Sequence, residues 1–265
     1  MADSIESWAE CNGVSLHYAL SGAGPRSVVL LHALGSTLEA WEPVADRLGP
    51  EFRVLRYDQR GTGLSEKVRS PFTLADHVTD LEALLEATQL PPPWYLASLA
   101  AGATIALAFA ERHAGEVRAL GLCAPSTGST PERAKLLIER SELAVREGMR
   151  AIVDESLERS YPRAMITDQR RYDAYRARLL AADPVAYSYA NRVLAGADLD
   201  HTLATLDVPA LLIAGRHDVM RPPAMIEALA GRMRRAQLVV IDAPHIMIVH
   251  SPDAVAAQLG QFFRG

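Results

Sequence analysis

Trp94-Tyr95-Leu96-Ala97-Ser98-Leu99-Ala100-Ala101-Gly102-Ala103-Thr104-Ile105-Ala106-Leu107-Ala108 is the stretch on which the reading of this chain turns. It opens as a strand, passes through a run of small residues and continues as a helix, Ala101–His113, that is apolar nearly all round. A helix without a polar face must be buried in the middle of a domain. Strand and helix therefore meet at a tight turn inside the core. Small residues two positions either side of such a turn let the two elements close on each other around a strained apex. Here the flanking positions are Ser98 and Gly102, so the apex is Ala100.

Outward from that turn, short runs rich in Val, Leu and Ile alternate with amphipathic stretches, the pattern of a mostly parallel sheet covered by helices. Strands are expected at Ser27–His32, Arg53–Tyr57, Trp94–Ser98, Val117–Cys123, Ala210–Ala214 and Gln237–Ile241, with Val14–Leu20 as an antiparallel edge strand. Thr73–Thr88 sets Leu74, Val78, Leu81 and Leu85 on one helical face, with Thr73 and Asp76 placed to cap it. From Ser126 to Leu206 the alternation stops and charged helical sequence takes over, including Arg133, Lys135, Glu139, Arg140, Glu142, Arg146 and Glu147. It resumes at Leu206-Asp207-Val208-Pro209, where the proline suits a strand entrance. The expected organisation is an α/β core formed by residues 1–125 and 207–265, interrupted by a helical cap at 126–206.

Composition narrows the function. A chain of 265 residues with 49% hydrophobic and 22% charged residues can bury a large core. Its net charge of −5 gives no electrostatic reason for nucleic acid or an anionic membrane as partner, and a small-molecule substrate fits better. A long uncharged run, Pro91–Ala110, approaches the length of a membrane span, but three opening prolines, Ser98, Gly102 and Thr104 fit strand, turn and buried helix instead. Two cysteines, Cys11 and Cys123, and a start of Met-Ala-Asp-Ser-Ile-Glu without the marks of a signal peptide point to a reducing cytoplasm. Cys123, in an apolar strand, reads as core filler, and Cys11 has no metal-ligand spacing.

The chain resembles an α/β-hydrolase throughout, and within that superfamily most resembles the 3-oxoadipate enol-lactonase and esterase group. The resemblance rests on His32-Ala33-Leu34-Gly35 after the first central strand, Trp41, Arg56-Tyr57-Asp58-Gln59-Arg60-Gly61-Thr62-Gly63-Leu64-Ser65 and the turn at Ala100. It continues through Ile213-Ala214-Gly215-Arg216-His217-Asp218, Ala243-Pro244-His245 and Ser251-Pro252. Two positions depart from the family pattern: alanine, at 100, stands where the nucleophilic serine is expected, and Ser98 replaces the first glycine of the turn.

Acyl transfer assigns the remaining roles in the chain order nucleophile, acid, histidine that this fold uses. His245, after the last strand, is the expected general base and acid. Asp218 is the expected orienting acid, since Pro125-Ser126-Thr127-Gly128 offers no carboxylate after the earlier strand. The resemblance implies an oxyanion hole from the Leu34 and Ala101 amides. His32 and Trp41 either border the substrate pocket or pack in the core. His217 reads as a loop residue, His250 as packing near the last helix, Ser98 as pointing away from the site, and Asp58, Arg60, Gly61 and Gly63 as a structural turn. No metal or organic cofactor is implied. The lactonase likeness suggests a carboxylate-bearing substrate and makes Arg146, Arg163, Arg171 and Arg192 candidates to meet it, against their reading as solvated helix residues.

Alanine at the apex keeps the strained backbone and discards the hydroxyl it serves to present. Three explanations stand at this level. The chain is a disabled ester or lactone hydrolase carrying a Ser→Ala replacement; or a non-hydrolytic enzyme using His245 and Asp218 as a base dyad; or a binding protein that kept the pocket.

Overall fold

Parallel strands buried on both faces need helices above and below them, and the computed structural model, which describes residues 4–265, has that layout. Strands β1 (Ser4–Cys11) and β2 (Val14–Ser21) form an antiparallel hairpin. The strands β3 (Arg26–Leu31), β4 (Phe52–Tyr57), β5 (Trp94–Leu99), β6 (Val117–Cys123), β7 (Ala210–Gly215) and β8 (Ala236–Ile241) run parallel. All eight join one sheet in the order β1-β2-β4-β3-β5-β6-β7-β8.

The segment expected as an edge strand, Val14–Leu20, lies instead between β1 and β4, because β1 covers its outer side. No continuous apolar run announces β1, whose residues are mostly exposed. The signal was the turn: Asn12 and Gly13 both have positive φ, 50° and 76°, as a two-residue hairpin loop requires.

On one side of the sheet, α2 (Leu74–Ala87) and α3 (Gly102–Arg112) bury Leu81 and Phe109 against Leu31, Leu55 and Leu122. On the other, α1 (Glu42–Leu48) and α11 (Pro252–Arg264) bury Val44 and Phe263 against Leu30, Leu99 and Ile213. Helix α2 starts at the expected reciprocal cap: Thr73 N–H donates to the Asp76 carboxylate at 2.7 Å, and Asp76 N–H donates to Thr73 Oγ1 at 3.2 Å. Between β6 and β7 the chain forms α4 (Pro131–Glu147), α5 (Arg150–Ser160), α6 (Gln169–Ala181), α7 (Pro184–Gly196) and α8 (Asp200–Thr205). Helix α9 (Pro223–Ala230) follows β7, and the short α10 (Met247–His250) follows β8. Among the described residues no helix is long and apolar enough to cross a membrane, and both cysteines are buried and free.

The turn at Asp58–Ser65 is structural. Asp58 accepts from the Leu38 and Leu64 amides, both at 2.8 Å, and Arg60 pairs with the buried Asp80. Buried His17 places Nδ1 2.8 Å from Asp58 and Nε2 2.9 Å from Glu6. Burial opposes charge on the ring, but the two carboxylates outweigh it and raise His17 above 6.5. Burial likewise opposes charge on Asp58, and His17 with the amides holds it below 3.8. The His17 contribution to stability is complete below pH 6.5 and is lost as pH rises through its raised folded value; the Asp58 contribution is lost as pH falls through its depressed one. Urea melts of the chain and of His17→Gln should therefore differ more at about pH 5 than at about pH 9. Equal gaps would mean that the ring is neutral in the fold.

Candidate active site

Strand β5 ends at Leu99 and α3 begins at Gly102, so Ala100 and Ala101 make the turn. Ala100 has φ 49°, a left-handed conformation costing a residue with a Cβ roughly 1–2 kcal/mol. Neighbours hold it there: its N–H donates to Cys123 O at 2.9 Å, and its carbonyl accepts from Ser126 N–H at 3.0 Å. A Cβ on Gly102 would stand 2.6 Å from Leu31 O and 2.8 Å from His32 O, so α3 meets the end of β3 this closely only with glycine. Ser98 lies within the strand, paired with Leu31 and Leu122, fully buried and away from the turn.

The loops after β7 and β8 bring Asp218 and His245 together. His245 Nδ1 lies 2.7 Å from Asp218 Oδ2, and both residues are buried. Asp218 Oδ1 accepts from the Met220 and Arg221 amides, each at 2.8 Å. Burial alone would raise the Asp218 pKa; the hydrogen bond and charge of His245 and the two amides outweigh it and keep the group below its ordinary value. The loops are tied at the backbone, where His217 N–H donates to Ala243 O at 3.1 Å. Helix α5 holds the other side, Ser160 O accepting from Ile246 N–H at 3.1 Å. Nε2 of His245 has no hydrogen-bond partner among the described residues. The exposed side chain of His217 faces Asp242, and His250 packs edge-on against Tyr161.

A cavity of about 100 Å³ opens where α4–α7 overlie these loops, lined among others by Leu34, Ala100, Ala101, Ser126 and His245. Among the described residues neither the Leu34 nor the Ala101 amide donates to a protein acceptor. The Ala33 carbonyl accepts from Ser36 N–H at 3.0 Å and lies 2.8 Å from His32 Nδ1. His32 Nε2 accepts from Gln59 N–H at 3.1 Å, so the ring proton sits on Nδ1 and is donated to that carbonyl. Because the trans peptide aims C=O and N–H in opposite directions, the Leu34 N–H is turned away from His32. His32 and Trp41 do not line the cavity. Trp41 is wholly buried with Val44 and Leu48, and burial, opposed by nearby carboxylates, keeps the His32 pKa below 6.5. Of the two readings, pocket border or core packing, these contacts agree with the second: Trp41 packs in the core and His32 lies behind the 33–34 peptide.

The family model described as Serine aminopeptidase, S33, matches residues 24–247. The chain belongs to this family. A crystal structure of the enol-lactonase from Burkholderia xenovorans is 30% identical, superposes with a TM-score of 0.91, and the match covers 98% of this chain and all of that one. A thermophilic esterase from Thermogutta terrifontis, described as malate bound, is 26% identical with a TM-score of 0.91 and 98% coverage of both chains. The 3-oxoadipate enol-lactonase 2 of Acinetobacter baylyi is 26% identical over 246 residues, covering 91% of this chain and 90% of its own. The fold is that of the α/β-hydrolases, near their enol-lactonase and esterase group.

In this α/β-hydrolase Arg146, Arg163, Arg171 and Arg192 do not line the cavity. Arg146 and Arg163 are exposed, Arg192 pairs with Glu142, and Arg171 pairs with Asp168 and donates to Val249 O. Arg133, Arg140 and Arg221 line the cavity instead. Arg133 and Arg140 sit seven residues apart, two helical turns on one face of α4, a spacing legible in the sequence. Nothing marked Arg221 or Ser126, which the fold alone brings together.

Gly215 repeats the role of Gly102: its Cβ would meet Ala243 O at 2.5 Å and Pro244 O at 2.8 Å, directly before His245. Gly102→Ala and Gly215→Ala should each cost about 1–3 kcal/mol in urea unfolding, as overpacking against backbone does. Gly196→Ala, at the end of α7 with nothing within 4 Å, should be neutral or stabilising. Equal effects at all three positions would show that the close approaches are not real constraints.

Proposed function

We propose that the cavity is the site of a hydrolase for small carboxylic esters or lactones that bear a carboxylate, and that this chain holds the site with its nucleophile removed. The carrying observation is Ala100 itself, held at φ 49° on the wall that it shares with His245, whose Nδ1 is 2.7 Å from Asp218. With a hydroxyl at position 100, His245 Nε2 takes its proton as the oxygen attacks the acyl carbon. The Leu34 and Ala101 amides meet the oxyanion, Asp218 stabilises the imidazolium, and the proton passes to the leaving alcohol. Water then repeats the sequence on the acyl-enzyme. Residues 126–206 act as a cap whose helices set specificity, and the three cavity arginines support a carboxylate on the substrate. The malate in the structure of the Thermogutta esterase agrees with an acidic ligand.

The free Nε2 of His245 favours a second reading, in which the dyad abstracts a proton from a bound substrate without covalent catalysis. Hydrolysis of small esters, lactones and enol-lactones by this chain and by Ala100→Ser decides between them. Turnover confined to the serine variant supports the disabled hydrolase. Turnover by neither, with proton exchange into a ligand that His245→Ala abolishes, overturns it in favour of the dyad.

A further inference from the structure

Guanidinium groups taken from water beside a reaction centre are costly unless something negative meets them. Arg133, Arg140 and Arg221 meet no carboxylate among the described residues. Arg221 donates to Ser126 Oγ at 2.6 Å and contacts Met225 Sδ at 3.6 Å, both neutral. Arg140 donates to Tyr187 Oη at 2.6 Å, with its Cζ 5.9 Å from the centroid of that ring. Arg133 has no side-chain partner, and its Nε, like that of Arg140, is buried without an acceptor. Burial, and after it repulsion from Arg133, brings Arg221 down to about 10 against the pull of Asp218. Burial, then Arg159 and Arg140, lowers Arg133 in the same way. Asp218 is the carboxylate acting on both, and it is committed to His245 and two amides. Its single charge leaves two of the three positive charges unbalanced.

We infer that the substrate carries two anionic groups besides its scissile bond, one held by Arg221 with Arg133 next to the turn at Ala100, the other by Arg140 further along α4. This rests on the cavity being the substrate site of the proposed hydrolase. Arg221 donates to Ser126 Oγ, and Ser126 N–H donates to the Ala100 carbonyl, so the first anion position lies beside the turn, with Arg133 lining the same cavity. Arg140 stands two helical turns further along α4, with Tyr187 Oη as its partner, which marks a second. The chemical class is a small ester or lactone bearing two carboxylates.

Because this chain lacks the serine, binding can be measured without turnover. Calorimetric titration with glutarate and adipate, their monomethyl esters and their dimethyl esters should give affinity in that order, each diacid binding at least about tenfold tighter than its monomethyl ester at low salt. Arg140→Gln should bring the diacid down to the level of the monomethyl ester and leave the monomethyl ester unchanged, while Arg133→Gln weakens both. Equal binding of diacid and monomethyl ester, or a diacid affinity indifferent to Arg140→Gln, overturns the inference. Ala100→Ser separates it from the hydrolytic reading. Release of acetate from the dimethyl ester of 2-acetoxysuccinate as fast as from the free diacid keeps the hydrolase and removes the dianion. No hydrolysis at all, with the diacid preference intact, does the reverse.

Discussion

Ala100→Ser is expected to raise ester or lactone hydrolysis by at least about a thousandfold, towards the roughly million-fold that loss of the nucleophile costs a comparable triad. The size follows from how little else must change. Ala100 already has a Cβ on the cavity wall in the left-handed conformation, so serine adds one oxygen without moving the backbone. His245 already has Nδ1 bound to Asp218 and Nε2 without a partner among the described residues, and the Leu34 and Ala101 amides proposed for the oxyanion are backbone groups that no side-chain replacement removes. Retention of the strain is itself informative. Roughly 1–2 kcal/mol of unfavourable backbone energy persists at a residue with no hydroxyl to present. Stability should shift by less than about 0.5 kcal/mol, so a large rate change would be chemical. Steady-state kinetics on lactone and ester substrates reads the first quantity and urea melts the second. A serine variant no faster than the parent would remove the hydrolytic reading.

The features legible in the sequence were those fixed locally. Apolar runs gave the parallel strands to within a residue or two, and the Thr73–Asp76 pair gave the start of α2. Small residues around Ala100 gave the turn, because sterics at Gly102 admit nothing larger. Asp218 and His245 were legible through the strands they follow. Strand β1 was missed because an exposed edge strand needs no apolar run; only Asn12-Gly13 betrayed it. The roles of His32 and Trp41 were open because an aromatic or imidazole after a central strand serves pocket and core equally well from sequence. The packing around Trp41 and the hydrogen bonds of His32 depend on contacts between distant segments. The cavity arginines escaped for the opposite reason: charge along α4 looks solvated until the fold places one face of that helix over the strand ends.

In the Ala100→Ser background, Asp218→Asn should lower kcat by about ten-thousandfold, the scale seen when a triad carboxylate becomes an amide. The hydrogen bonds dictate why. Oδ1 accepts from two backbone N–H groups, of Met220 and Arg221, so an asparagine must turn its one carbonyl oxygen to them and its NH2 to His245. The amide then donates to Nδ1, which drives the ring proton onto Nε2, and a ring protonated there cannot accept from the serine. Charge is lost in the same step. Arg221 and Arg133 lose the carboxylate that offsets their burial, so the variant should also be about 1–3 kcal/mol less stable. The two effects part by measurement: kcat at a temperature where the variant is fully folded reads the tautomer, and the urea midpoint reads the charge. A serine variant that keeps more than a tenth of its kcat with asparagine at 218 would show that His245 is oriented by something other than Asp218. In that event the 2.7 Å contact between them is structural, and the group that orients His245 must be sought elsewhere on the cavity wall.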